Sequence, residues 1–493
     1  MANSKHGAPR SGRAIPNLAH TPSNQPLHAT VFTNRRVVLR AILCLFIALF
    51  AFVATAGAAV YSEINSTITS RSVIITSQKT KKAETEILDP NSGKPINLLV
   101  MGQDSRDGAE NSTLGNKTEG GEHNADTTMI AQISADRSYV NLVSIPRDTL
   151  VDVPACTTSK GTIPARYNVM FNSIFAYGYN RDGLSGAATC AMAAVESLTG
   201  IHLDQFIVVD FAGMRKMIDA IGGVDVCIAE NVNDEYTGLR LNKGLDHLDG
   251  TSGTMFARIR HGIGDGSDIG RTARQQYLIK QLLRQIKQKN ILLNVNELYG
   301  FAKSALESLT MSSGLGQLGT LTGLAYSMRH FSVSNLYSRT APIMTAPSDP
   351  NRVVFSDAAK TLWELMRAGK PINVDLSADA QTQADQLAQE SAQSKSEADK
   401  STSSDNSSDT SSNSSNSSES TDSSDQQSEQ NAAKPDPITG LISQSDGSLV
   451  DPRTGGVVDP ETGVIRDAQT GSFMGIADRY LNHTICGIPA DKL

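Results

Sequence analysis

From Ala41 to Tyr61 the chain reads AILCLFIALFAFVATAGAAVY, without one charged residue. At ~1.5 Å per residue this predicts a helix of roughly 30 Å, the thickness of a bilayer's hydrocarbon layer. Arg35, Arg36 and Arg40 flank it on the N-terminal side only. The positive-inside rule then places the N-terminus in the cytoplasm and everything after Tyr61 outside the cell membrane. A cleaved signal peptide is the rival reading, helped by the small residues Ala54, Ala56 and Ala58. The long basic arm and the length of the apolar run favour a retained single-pass anchor in the lipid bilayer.

Further along, apolar periodicity alternates between two kinds. INLLVM (96–101), TTMIAQIS (127–134), YVNLVSI (139–145), FIVVD (206–210) and VDVCI (224–228) are β-rich runs of strand length bounded by turn residues. Helical spacing marks Leu184–Leu198, Phe211–Ile221, Thr251–Ile259, Thr272–Lys287 and Asn296–Leu309. Gly222–Gly223 reads as a helix stop leading into the next strand. This alternation predicts an α/β fold, an α-β-α sandwich around a central mixed sheet. After it comes a tract in which 18 of the 40 residues 391–430 are Ser, mixed with Asp, Glu and Asn. Such composition stays solvated. Short units then recur: DPITGLIS from Asp436, DPRTGGVV from Asp451, DPETGVIR from Asp459 and DAQTGSFM from Asp467. Each pairs a turn with apolar or β-branched residues. They read either as a low-complexity spacer carrying turns or as a small β-turn repeat lying against the wall or the main domain.

The expected organisation is therefore a disordered basic cytoplasmic arm (1–36), a transmembrane anchor helix (37–61) and an extracytoplasmic stalk (62–94). An α/β domain (95–375), a Ser/Asp-rich disordered linker (376–435) and the D-P-x-T-G repeats (436–493) follow. The 493 residues carry a formal net charge of -7, 39% hydrophobic residues and 5% aromatics. The mild acidity argues against a nucleic-acid partner. No CxxC spacing points to zinc, no G-x-S-x-G elbow to a serine hydrolase, and no Walker A to a nucleotide enzyme.

The chemistry concentrates at strand ends. Asp104 and Arg106 follow the first strand, Asp126 opens the second, and Arg147 and Asp148 close the third. A later basic stretch holds Arg258, Arg260, His261, Asp268, Arg271, Arg274 and Gln275. Groups at strand ends of an α/β sheet gather at the rim where ligands bind. Arginine forks match phosphate oxygens, and carboxylates hold Mg²⁺. The set suits a pyrophosphate with a divalent cation; the plain alternative is a group of surface ion pairs.

The blocks INLLVMGQDSR, NADTTMIAQIS, NLVSIPRDT, FNSIFAYGY, VESLTGIHLDQFIVVDFAGMRKMIDAIGGVDV, LNKGLDHLDG, FARIRHG and DIGRTARQQ occur in this order between about Asn97 and Gln276. Together they resemble the LytR-CpsA-Psr family, in particular its high-GC Gram-positive members. The resemblance implies a cell-wall biogenesis transferase with a tunnel for a polyprenyl tail. Such an enzyme moves an anionic glycopolymer from undecaprenyl pyrophosphate to the muramic acid 6-hydroxyl of peptidoglycan, forming a phosphodiester. It also implies Mg²⁺ (or Mn²⁺), held with the pyrophosphate by Asp104 and Asp126. Arg147, Asp268 and Arg271 would be catalytic, Asp268 orienting Arg271 or deprotonating the acceptor. Arg106, Arg258, Arg260, Arg274 and Gln275 would bind pyrophosphate and head group. Two departures, Asn124 where many relatives carry Arg and Phe175 in place of a tyrosine, bear on sugar preference. The tunnel walls are expected from helix 184–198 and segment 296–330. The alternatives are a non-catalytic wall-binding or regulatory protein, or a polyprenyl pyrophosphatase.

High-GC relatives look similar in carrying Cys at the positions of Cys156 and Cys190, which implies that these two pair. Cys44 lies in the span and should stay reduced. Cys227 and Cys486 remain. Paired, they would pin the C-terminus to the catalytic domain; unpaired, Cys227 is a core thiol and Cys486 is free.

Overall fold

The computed structural model describes residues 27–78, 83–84, 88–104, 123–264, 266–289, 303, 306, 308–374, 434–468, 471 and 473–492. The Ser-rich tract, most of 296–309, residues 1–26 and Arg106 lie outside them. The chain divides at Glu63 into an N-terminal unit and a unit running from Ile64 to Leu493.

Helix α1 spans Leu27–Arg71, and its stretch Leu39–Thr67 is long and apolar enough to cross a membrane. The helix begins inside the arm expected to be disordered and continues ten residues past Tyr61. Polar residues at its ends, such as Glu63 and Asn65, are compatible with helix once the apolar centre has nucleated it.

The central sheet has seven strands: β1 (Ser72–Val73), β2 (Ile96–Asp104), β3 (Asn124–Ile133), β4 (Val140–Ile145), β5 (Gln205–Val209), β6 (Leu309–Ser312) and β7 (Leu336–Thr340), in the order β1-β6-β5-β2-β3-β4-β7. The pairs β1/β6, β5/β2 and β4/β7 run parallel. The pairs β6/β5, β2/β3 and β3/β4 run antiparallel. The sheet is mixed, as the sequence suggests. Val224–Ile228, however, stays out of it and pairs with Gly244–Leu248.

Helices cover both faces. On one, α2 (Phe171–Thr199) packs its Ala187, Ala188 and Ala191 with Leu99, Ile130 and Val143 of the sheet. Helix α2 is broken at Asp182–Gly183, so its second half is the periodic segment from Leu184. Gly178 and Gly186 meet across the break, where a Cβ on Gly178 would lie 2.3 Å from the Gly186 carbonyl. Helices α3 (Phe211–Ala220), α4 (Gly250–Arg258), α5 (Asp268–Gln288) and α6 (Leu318–Ser327) follow. Helix α7 (Ala358–Arg367) joins the α2 face through Leu362, Trp363 and Met366. Ile279 and Leu283 of α5 cover Met129 and Leu142 on the opposite face. Asp210, Asp249 and Ser267 cap α3, α4 and α5, each side chain accepting an amide three residues on. The Ser267 cap starts α5 four residues before the periodic pattern does.

The repeats form a five-stranded antiparallel meander: β8 (Ile442–Ser443), β9 (Leu449–Val450), β10 (Val457–Val458), β11 (Val464–Arg466) and β12 (Phe473–Ile476). In the D-P-x-T-G turns the Asp side chain accepts downstream amides, as Asp436 does from Ile438 (3.0 Å) and Thr439 (2.6 Å). The Gly adopts a left-handed conformation, φ +76° at Gly440 and +69° at Gly455 and Gly463. The meander lies against α5 and β7 of the main domain. Disulfides join Cys156 to Cys190 and Cys227 to Cys486, and Cys44 is free.

Candidate active site

A cavity of about 910 Å³ opens between β2, β3 and β5 on one side and α3, α4 and α5 on the other. Val100, Met129, Met214, Met217, Ile279 and Leu282 give it an apolar wall. None of the described residues of helix 184–198 or segment 296–330, the expected walls, lines it. The alanines of α2 are spent on the opposite face of the sheet, in the core beneath Leu99 and Ile130. Periodicity reports that a helix face is covered, but not which side of the sheet covers it.

Charged residues share the lining. Asp126 accepts from Arg147 Nη1 at 2.9 Å and lies 3.6 Å from Arg271 Nη1 and 3.9 Å from Arg260 Nη2. Burial pulls its carboxyl upward, but Arg271 and Arg147 outweigh this and hold it below the ordinary carboxylate value. Burial, and then repulsion from Arg271 and Arg147, depresses Arg260. Three guanidiniums around one carboxylate, one of them strained by its like-charged neighbours, make a pocket suited to an entering anion.

Asp268 sits at the first turn of α5, ion-paired with Arg271 and 3.5 Å from Arg147 Nε. Among the described residues, its Oδ2 and Arg271 Nε are buried without a hydrogen-bond partner. Arg271 also donates to the Asp126 carbonyl at 2.9 Å. Asp268 does not line the cavity, so its geometry is that of a group orienting two arginines. Gln275, one turn on, accepts from Thr127 Oγ1 (2.9 Å) and donates to the Ala257 carbonyl (3.0 Å), tying α5 to β3 and α4. Arg258 lies over the Phe211 ring, 4.0 Å from its centroid, on the cavity wall.

The structure thus brings Asp126, Arg147, Arg258, Arg260, Arg271 and Gln275 to one cavity, with Asp268 directly behind. Arg274 departs from expectation: it is buried, donates to the Ile259 carbonyl and lines no part of the cavity. Its guanidinium is spent on tying α5 to the end of α4. Asp104 ends β2 and pairs across the sheet with Asn124, two residues before Asp126.

Sequence reasoning passed over Arg352, which grips Asp148 at 2.7 Å, because the two are joined only by a distant hairpin. It also passed over His123, Asn172, Asp234 and Tyr236 on the cavity wall. Asn172 carried a signal in the F-N-S opening of α2; His123 precedes β3, Asp234 ends a three-residue strand and Tyr236 lies in the turn after it, none in a recognisable pattern.

Among the described residues no group of three His, Cys, Asp or Glu side chains is close enough to hold a metal by itself. The carboxylate of Asp126, anionic and facing the cavity, fits one ligand position of a hard cation. Such a cation needs about six oxygens, so phosphate and water would have to complete the shell.

Comparison with known proteins comes to the same region. The LytR_cpsA_psr family model matches residues 60–349. The chain is similar to "Cell wall biosynthesis protein LcpA" of Corynebacterium glutamicum, 28% identical over 50% of this chain and 49% of the relative. It is similar to "Polyisoprenyl-teichoic acid--peptidoglycan teichoic acid transferase TagV" of Bacillus subtilis, 25% identical over 67% of this chain and 79% of the relative. It is similar as well to "Regulatory protein MsrR" of Staphylococcus aureus, 26% identical over 53% and 68%. The match spans about half the length of the corynebacterial relative.

Proposed function

The chain belongs to the LytR_cpsA_psr family, and from that premise we propose that it is a membrane-anchored extracytoplasmic phosphotransferase. It moves an anionic glycopolymer from undecaprenyl pyrophosphate to the muramic acid 6-hydroxyl of peptidoglycan. The observation that carries this reading is the cavity itself, which joins an apolar wall to Arg147, Arg258, Arg260 and Arg271. An apolar chain ending in a pyrophosphate has that polarity. The uncharged span of α1, with arginines on its N-terminal side, supports an exported domain on a single anchor.

Phosphoryl transfer asks the protein mainly for positioning and charge neutralisation. The prenyl chain lies along the apolar wall and leaves the pyrophosphate among the arginines. Arg147 and Arg271, fixed by Asp268, hold phosphate oxygens in one orientation. The acceptor hydroxyl attacks the sugar-bearing phosphorus, the P–O–P bridge breaks, and polyprenyl phosphate departs with the hydroxyl's proton. Asp104 and Asp126 would hold Mg²⁺ (or Mn²⁺) with the phosphates, which when bound offsets charge on the bridging oxygen. Asp104→Asn should therefore raise the Mg²⁺ concentration needed for half-maximal turnover; an unchanged titration removes that ligand.

The experiment is a strain lacking this chain, complemented with wild type or Arg147→Ala. Wall polymer bound through phosphodiesters should fall in the deletion, return with wild type and stay low with the variant. Restoration by Arg147→Ala would instead favour a non-catalytic role.

A further inference from the structure

We propose that Tyr236 is a pyranose-stacking platform that holds the first sugar of the lipid-linked donor beside its pyrophosphate. The inference rests on the transferase reading above and names the part of the substrate that leaves the arginine cluster toward solvent.

Tyr236 sits in the turn between strands Val232–Asp234 and Leu239–Leu241. Its side chain is 74% exposed, yet it lines the cavity. Tyr167 and Tyr326, similarly exposed, line no part of it. An exposed tyrosine is ordinarily unremarked; this one is held in place. Asp234, only 2% exposed, accepts from the Tyr236 amide at 3.0 Å and from Thr237 Oγ1 at 2.9 Å. The Tyr236 ring lies 4.6 Å from the His261 ring, tilted by 38°. Gly262 follows at φ +69°, where a Cβ would come within 2.1 Å of the Asn233 carbonyl. The loop bearing Arg260 and His261 is therefore pressed onto the hairpin, and a side chain at 262 would separate them.

This arrangement fixes the platform relative to the phosphate site. Arg260, one residue before His261, reaches toward Asp126 Oδ2 (3.9 Å). With the prenyl chain inside and the pyrophosphate at the arginines, the next group outward is the first sugar. An aromatic face is electron-rich and attracts polarised C–H groups, which a pyranose ring presents on one face. Fixing the ring in advance removes the ordering cost of binding.

The test uses the full chain in detergent micelles with two probes, geranylgeranyl pyrophosphate and geranylgeranyl-pyrophosphoryl-N-acetylglucosamine, with affinities measured by calorimetry. Tyr236→Ala should weaken the sugar-bearing probe about ten-fold, the size of one aromatic contact, and shift the sugarless probe by less than about two-fold. Tyr236→Phe should bind both probes like wild type. Equal losses for both probes, no loss for either, or a Phe variant as weak as the Ala variant would overturn the platform while leaving the transferase reading intact. A wild-type chain that binds neither probe would overturn both.

Discussion

At the scale of single residues, Asp126 is the hub of the charged lining, and the arginines around it differ in what they hold up. Arg147 is half-buried, and without it Asp126 keeps Arg271 and Arg260. Arg147→Ala should therefore fold normally by circular dichroism and lose transfer about ten- to hundred-fold, as expected for about 1.5–3 kcal/mol of charge-assisted contact. Arg271 is only 3% exposed and is the close partner of Asp268. Removing it leaves the Asp268 carboxylate only the longer contact to Arg147 at 3.5 Å, so Arg271→Ala should lose both transfer and about 1–3 kcal/mol of stability in chemical denaturation. Equal stability of the two variants would contradict this difference. The acid limb follows from the depressed carboxyl of Asp126. A group whose folded value lies below its ordinary 3.8 contributes stability that is complete above 3.8 and is lost as pH falls toward the folded value. Asp126→Asn should flatten the loss of stability below that pH; parallel acid limbs in the two proteins would sink the idea.

At the scale of elements, α5 does two things. Its first turns carry Arg271 and Gln275 to the cavity with Asp268 bracing the arginines, and its later turns are gripped from behind. Tyr277, 2% exposed, accepts from the Cys227 amide at 2.9 Å and donates to Asn482 Oδ1 at 2.6 Å. Arg284 reaches Asp478 at 3.0 Å and Lys280 lies 3.7 Å from it. Against the upward pull of burial, Lys280 and Arg284 hold the Asp478 carboxyl below its ordinary value, while burial lowers Lys280. Tyr277→Phe leaves two buried polar groups unmet and should cost about 1–3 kcal/mol by urea titration; a neutral result would mean that water replaces the hydroxyl. The helix itself was legible from its apolar period, though its start was not: Ser267 caps it, and a cap is a single residue outside the period. The first half of α2 was missed for a related reason. Asp182–Gly183 interrupts the pattern, so FNSIFAYGY looks irregular beside the Ala-rich half.

At the scale of the whole molecule, the terminal meander is part of the main unit despite the long Ser-rich tract before it. The Cys227–Cys486 bridge spans 259 residues, and closing so long a loop contributes about 5 kcal/mol in the chain-entropy picture. Cys227→Ser with Cys486→Ser should raise hydrogen exchange across residues 473–492 and the later turns of α5, leaving the core about Cys156–Cys190 protected. Unchanged exchange would show that Asp478, Tyr277 and Asn482 suffice alone. Most of the strands and helices, the apolar span, the turns of the repeats and the grouping of arginines near strand ends are local in origin. Period, capping potential and residue chemistry are written within a few positions of each other, so the sequence alone determined them. The side of the sheet that carries the cavity, the burial of Arg274 away from it and the grip of Arg352 on Asp148 were settled only in three dimensions. So were the seating of the meander on α5 and the fixing of Tyr236 on the cavity wall. Each depends on contacts between segments tens to hundreds of residues apart, and packing of that range is decided by competition among whole faces rather than by any local pattern.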